Sequence, residues 1–357
     1  MKINTVRVRL GFVIGITVTV LLAGRFLCGQ SVPESRAPHI DKPFVQSTID
    51  SLARVIRKEY VDADVASHVD TYLRKCLAEG RYQLPTADAL AQVLTQDLFD
   101  SSHDKHLFVT VSPDAANASA VTAEEPPREE TARFSNFGIQ RVEILPGNIG
   151  YLNLTSFYRP QEAQETFVSA MQVLAQANAL ILDLRGNKGG SPDMAVLVAS
   201  FMLDKPGIPL FSVVPRSGAE PMRFATVQTP PPGSNGERPL YILTSQTTWS
   251  AGEGLAFLLQ ERHRAEIIGE TTAGAANPGR PYRVNALFEV NVPNGRVRSA
   301  VLGSNWEGAG VVPDISTSAT DALDVAHTRA LRRLLELAPK GRWHDELERE
   351  LKSLRDK

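Results

Sequence analysis

Apolar residues follow two regimes along this chain. Over residues 44 to 100 they recur at three- and four-residue intervals, and beyond about 135 they come in short runs between glycine-rich breaks. In the first regime Val45, Ile49, Leu52 and Ile56 keep one helical face. Two more helices are predicted over Val65 to Leu77 and Thr86 to Phe99, the second with Thr86 placed to cap it. Three short amphipathic helices cannot each bury a face alone, so a small helical domain over 44–100 follows. The loop SSHDKHLFVTV then leads into a strand at Leu107 to Val111. Residues 113 to 133 carry no apolar period and are rich in Pro, Ala, Glu and Thr, which reads as linker within a 101–134 connection.

In the second regime strands alternate with helices. Gln140 to Leu145 and Ile149 to Leu154 are strands around the turn Pro146-Gly147-Asn148, and Gln161 to Ala177 is a helix. Ala179 to Leu184 is apolar except at Asp183, as in a strand buried on both faces. It breaks into Arg185-Gly186-Asn187-Lys188-Gly189-Gly190, and a helix follows from Ser191 to Leu203. Asp183 and Arg185 read as an ion pair bracing that loop. Gly207 to Gly236 reads as loop. Tyr241-Ile242-Leu243 and Ala265 to Ile268 are further strands. Leu287 to Val292 and Val297 to Leu302 are expected to pair as a hairpin around Pro293-Asn294-Gly295. Helices over Asp321 to Leu337 and His344 to Leu354 close the chain. The alternation makes 135–320 an α/β core, with 321–357 as carboxy-terminal helices.

Composition narrows the class. The chain of 357 residues is 43% hydrophobic with a net charge of −2, and no basic run suggests nucleic-acid binding. Of two cysteines, Cys28 ends an amino-terminal leader and Cys76 would then stand alone, which excludes a disulfide framework and thiolate metal sites. The leader has Lys2, Arg7 and Arg9 before an apolar run from Leu10 to Ala23. That is a signal-peptide pattern over residues 1–30, short for a spanning helix, so export to a periplasmic or extracellular compartment is expected. Any membrane attachment would come through this leader if it is uncleaved.

The chemistry gathers at Thr244 to Glu253, TSQTTWSAGE, where a strand ends and a helix begins. A serine at such a junction lies beside free backbone N–H groups of the first helical turn, the setting a nucleophile and oxyanion hole need. Ser250-Ala251-Gly252-Glu253 also matches a capping box, which is sufficient reason for a serine there.

Four pieces in order decide between these readings: DKHL at 104–107, LDLRGNKGG at 182–190, TTWSAGE at 247–253 and NWEGAGVVPDI at 305–315. With GNIGYL at 147–152 and GETTAGAANPG at 269–279, they resemble the tail-specific protease family, which includes carboxy-terminal processing proteases, tricorn core domains and interphotoreceptor retinoid-binding repeats. The resemblance is nearest to the tricorn and retinoid-binding branch. It implies a ClpP/crotonase-like α/β core behind the helical domain, serine peptidase chemistry on a peptide or protein substrate, and no cofactor or metal. The processing proteases use a lysine base, but no lysine occurs between Lys205 and Lys340. The tricorn-like branch uses histidine, and its positions match His106, Ser250 and Glu307. The resemblance and the glycine loop together point to Gly189 and Ala251 as oxyanion donors. Lys105 stands where that branch has a serine orienting the relay, and Glu270 either lines the pocket or caps a strand; both are candidate supporting residues. Between Val111 and Ile139 there is no room for a PDZ domain. A non-catalytic holder of apolar ligands on the same fold, or an esterase, are the alternatives, and assembly into a homo-oligomer stays open.

Overall fold

The computed structural model describes residues 40–112, 128–229 and 233–355. The expected leader, Cys28 and most of the 113–133 linker lie outside them. Residues 128–133, within the segment read as linker, belong to helix α4 (Arg128–Phe134).

The run β4 (Ala179–Asp183) is buried at every position and lies within a six-stranded sheet. The order is β12 (Ile315–Ser316), β8 (Glu266–Gly269), β7 (Leu240–Thr244), β4, β3 (Ile149–Leu154) and β2 (Ile139–Leu145). All neighbours are parallel except β2, which turns back on β3 at the edge. A parallel sheet is covered on both faces. Leu180, Leu182 and Ile242 pack with the cluster of α5 (Pro160–Val173), α6 (Pro192–Leu203) and α7 (Ala251–Gln260). The alternate residues Ile181, Tyr241, Leu243 and Ile268 meet α8 (Ala322–Leu337) and α9 (Arg342–Arg355). Period-two side chains thus explain why these runs are apolar throughout. As expected, Asp183 pairs with Arg185 at 2.6 Å; it also accepts from the Tyr151 hydroxyl.

The helical region is α1 (Lys42–Glu59), α2 (Ala63–Ala78) and α3 (Ala87–Ser102). The caps are visible in the sequence: Asp41, Asp62 and Thr86 each accept an N–H of the first turn. Its boundary differs from expectation. The core of these helices is completed by β1 (Phe108–Val111) and by Val284, Leu287, Phe288, Val290 and Val292 from far along the chain. β1 pairs antiparallel with β10 (Phe288–Pro293), which pairs with β9 (Gly279–Arg283). The helical layer is therefore sealed by a hairpin lent from the α/β segment.

The expected hairpin around Pro293-Asn294-Gly295 does not form. β10 stays with β1 and β9, whereas β11 (Gly295–Ser299) pairs with β5 (Pro209–Pro215) in a third sheet, β11-β5-β6. The turn is a switch between sheets. Gly295 has the reason on its surface: a Cβ there would stand 2.6 Å from a Val213 methyl. The segment read as loop over Gly207 to Gly236 supplies β5 and β6 (Met222–Ala225). Among the described residues no helix is long and apolar enough to cross a membrane.

Candidate active site

The site lies past the carboxyl ends of β4 and β7, where an open parallel sheet leaves a crevice. The β7 turn is tied down before it reaches the helix. Thr248 Oγ1 donates to Leu184 O, the Ser245 N–H donates to Thr248 Oγ1, and the Trp249 N–H donates to Asn187 O. Ser250 is then forced to φ 53°, ψ −119°, a region side-chain-bearing residues rarely occupy. Such a conformation costs of order 1–3 kcal/mol and persists only where surroundings over-determine it. The strand-to-helix junction inferred from the sequence is therefore an elbow, with half-buried Ser250 at its apex.

Glycine makes the elbow possible from the other side. A Cβ on Gly189 (φ +77°) would lie 2.7 Å from Ser250 Cβ and 3.1 Å from the Ala251 nitrogen. On Gly190 it would lie 2.1 Å from Phe157 O. The two amides differ in one decisive respect: the Gly189 N–H donates to Asn187 Oδ1 at 2.8 Å, so it is not open to a ligand. Among the described residues the Gly190 and Ala251 amides have no acceptor. Of the glycine-loop amides, the one left open is therefore Gly190, next to the expected Gly189. Gly190, Ser250 and Ala251 together border a cavity of about 100 Å³ walled by Phe211, Val213, Leu258, Val297 and Trp306.

Glu253 does more than cap. Fully buried, it accepts from the Ser250 N–H (2.8 Å), Thr272 Oγ1 (2.6 Å), and the Gly274 (2.6 Å) and Ala275 (3.0 Å) amides. Burial pushes its carboxyl upward in pKa and these four donors oppose that. Two residues on, the same loop meets a second acid: Glu307 Oε2 accepts from the Ala276 and Asn277 amides, both at 2.8 Å. Trp306 Nε1 donates to Ala275 O between them. The 272–277 loop is thus held between the carboxylates of Glu253 and Glu307.

Across the crevice α3 ends at His103, and the DKHL loop brings His106 toward Glu307. A ring nitrogen of His106, a carboxylate oxygen of Glu307 and one of Asp104 lie within 4.8 Å of one another. His106 Nδ1 and Glu307 Oε1 are both buried and make no hydrogen bond. Burial lowers the His106 pKa to about 4, so the ring is neutral at pH 7. Burial, then the Asp104 charge, pushes Glu307 up to about 7. Asp104, nearly sealed from solvent, accepts from the His106 N–H (2.8 Å) and the Tyr60 hydroxyl (2.9 Å).

Of the residues singled out in the sequence, the structure brings Ser250, Gly189 and Ala251 together, and separately His106 and Glu307. No hydrogen bond joins the two groups; the His106 ring stands edge-on to Trp249, with centroids 5.5 Å apart. Lys105 Nζ donates to Ala273 O at 2.5 Å, tying the DKHL loop to the 272–277 loop. Glu270 caps: it accepts from the Gln246 and Ala319 amides at 3.2 and 3.4 Å. Asp104, Asn187 and Glu253 were not singled out as site residues. Glu253 was visible as the capping-box partner; Asp104 and Asn187 each accept from the N–H two residues on, a local turn pattern, but their bonds to Tyr60 and Leu154 carry no local signal.

Comparison with known proteins now bears on this arrangement. Residues 148–317 match the model of peptidase family S41, and 42–145 match the N-terminal domain of Peptidase_S41 in eukaryotic IRBP. The chain belongs to peptidase family S41. The carboxyl-terminal-processing peptidase 2, chloroplastic, of Arabidopsis thaliana is 32% identical over 166 residues, covering 43% of this chain and 29% of that protein. The match spans about a third or less of the length of such curated relatives. Among solved structures, a putative peptidase from Parabacteroides merdae superposes with a TM-score of 0.56 at 14% identity, covering 80% of this chain and 96% of that one. The tricorn protease gives 0.51 at 13% identity over 87% of this chain and 37% of its own. The ClpP/crotonase-like α/β fold of S41 proteases is therefore the fold of this chain.

Proposed function

We propose that this S41 chain is an exported serine peptidase working through Ser250, His106 and Glu307. The observation that carries the reading is the strained Ser250 elbow, opening beside two unpaired backbone amides onto an apolar cavity. A main-chain strain of this kind is retained where it positions a reactive group.

The steps follow from the donors and acceptors. The neutral His106 ring turns from Trp249 to Ser250 as substrate fills the crevice, since catalytic contacts tighten on binding. His106 takes the Oγ proton as Oγ bonds to the scissile carbonyl carbon, and the carbonyl electron pair moves onto oxygen. That oxyanion accepts from the Gly190 and Ala251 amides. Glu307 Oε1, when ionised, accepts from Nδ1–H and stabilises the imidazolium. Collapse breaks the C–N bond; the leaving amine takes the proton from His106, and water repeats the sequence on the acyl-enzyme. The cavity takes the side chain preceding the scissile bond. Its volume of about 100 Å³ suits a small apolar side chain.

A fluorophosphonate probe tests this directly. Labelling is expected at Ser250, absent in Ser250→Ala and reduced at least about 100-fold in His106→Ala. Undiminished labelling in His106→Ala removes the assigned base. Wild-type protein that neither labels nor cleaves a peptide library moves the ligand-binding module ahead, and cleavage of esters alone selects the esterase.

A further inference from the structure

Asp104 has no part in the relay above, yet it is nearly sealed from solvent beside it. Its carboxylate accepts from the His106 backbone N–H and from the Tyr60 hydroxyl at the end of α1. It also lies within 4.8 Å of both the His106 ring and the Glu307 carboxylate. Two carboxylates this close, withdrawn from water, strongly resist simultaneous ionisation. Few positive charges relieve them. On the helical side the neighbours are Tyr60 and the Asp62–Arg296 pair at 3.1 Å. On the core side lies Glu253, which adds negative charge, and Arg298 borders the outer cleft beside Glu307. Lys105 turns away, onto Ala273 O.

We infer that Asp104 is a positioning residue that shares one proton with Glu307, so that the relay is complete only once that proton has left Glu307. While the proton remains, Glu307 Oε1 is a poor acceptor for the His106 ring, and the base lacks its orienting partner. The inference rests on the proposed Ser-His-Glu reading. It extends that reading by setting the lower pH limit of activity through a carboxyl pair, although His106 is already neutral well below that limit. Burial raises Asp104 as it raises Glu307, in keeping with a shared proton.

The test is the pH profile of fluorophosphonate labelling in three proteins. Wild type is expected to gain reactivity as pH rises through about 7. Asp104→Asn keeps an acceptor for the His106 amide but lacks the charge, so its acid limb shifts down by about one unit or more, a roughly tenfold gain in labelling on the acid side. Tyr60→Phe removes a donor that stabilises ionised Asp104, so the proton passes toward Asp104: the variant's limb also moves down, while the Asp104 carboxyl titrates higher by carbon NMR. Opposite movements of the two carboxyls in one variant are not produced by mere loosening, which lowers both. An Asp104→Asn limb unchanged from wild type, or an Asp104 carboxyl that falls with Glu307 in Tyr60→Phe, overturns the inference.

Carboxyl carbon NMR on Ser250→Ala protein separates this inference from the peptidase reading, because it needs no chemistry. A glutamate carboxyl titrating near neutrality, and moving down on adding Asp104→Asn, supports the shared proton even if no substrate is cleaved. Its absence refutes the pair even if labelling succeeds.

Discussion

At Ser250 and Gly189, two residues occupy one small space by dividing it: the serine takes the strained backbone and the glycine gives up its side chain. Gly189→Ala must move either its own loop or the elbow, since the new Cβ would meet Ser250 Cβ at 2.7 Å from a positive φ. We expect it to cost about 1–3 kcal/mol in denaturant unfolding and to lower the labelling rate at least about tenfold. Labelling at the wild-type rate would show that the elbow does not depend on the glycine. Glu307 illustrates a different residue-scale trade. Its pKa rises from 4.5 to about 7 on folding, so between those values the native state holds more protons than the unfolded chain, and stability falls as pH rises through that window. Glu307→Gln keeps an acceptor for the Ala276 and Asn277 amides and removes the ionisation. The variant is expected to be more stable than wild type by about 1–3 kcal/mol above pH ~7, while losing labelling. Equal stability at pH about 8 would show that the carboxylate is ionised there without penalty. Ser250 could be found from local pattern, because a capping box after an apolar run is a short-range signal. His106 and Glu307 could not: they are far apart in the chain, and only the motif resemblance joined them. Asp104 was in view within DKHL, but its proximity to Glu307 is tertiary.

The helix that follows Ser250 and the 272–277 loop behave as one element, because Glu253 bonds to both. Glutamine there offers one acceptor oxygen and turns an NH₂ toward N–H donors, so at least one buried amide goes unpaired. Glu253→Gln should therefore destabilise by about 2–4 kcal/mol and slow labelling, with hydrogen exchange rising at residues 272–277 ahead of global unfolding. Exchange unchanged in that loop would mean that Trp306 and Glu307 hold it alone. Element type was mostly legible: the buried run of β4 and the long helices follow from period and end signals, whereas the short helix at 128–134 was read as linker. Pairing was not. Pro293-Asn294-Gly295 carries a strong turn signature, but a turn signal reports a change of direction and cannot name the partner. β10 and β11 each found a better apolar surface elsewhere. Similarly β5 and β6, flanked by proline and glycine and only partly buried, lack the uninterrupted apolar run that betrays β4.

For the molecule as a whole, two regimes of hydrophobic spacing suggested two domains joined by a linker. The helical layer instead closes on β9 and β10, which come from within the α/β segment, and the His106 loop enters the site directly ahead of β1. Phe288, fully buried against α1–α3, is the clearest test of that dependence. Phe288→Ala should cost about 3–5 kcal/mol, and both tryptophan fluorescence and fluorophosphonate labelling should be lost in a single transition. Two separated transitions would restore the picture of independent domains.

The lent hairpin also orders events in time during synthesis. A chain emerging amino-terminus first presents DKHL early and the Ser250 elbow later, but β1 has no partner until β10 has left the ribosome, and Glu307 follows only after that. Long-range pairing of this kind waits on the farthest segment. A nascent chain halted before residue 288 carries Ser250 and His106 without the strand that pairs with β1 or the glutamate that stands beside the histidine. On the proposed reading, a chain woven in this way would stay silent until nearly its entire core has been made.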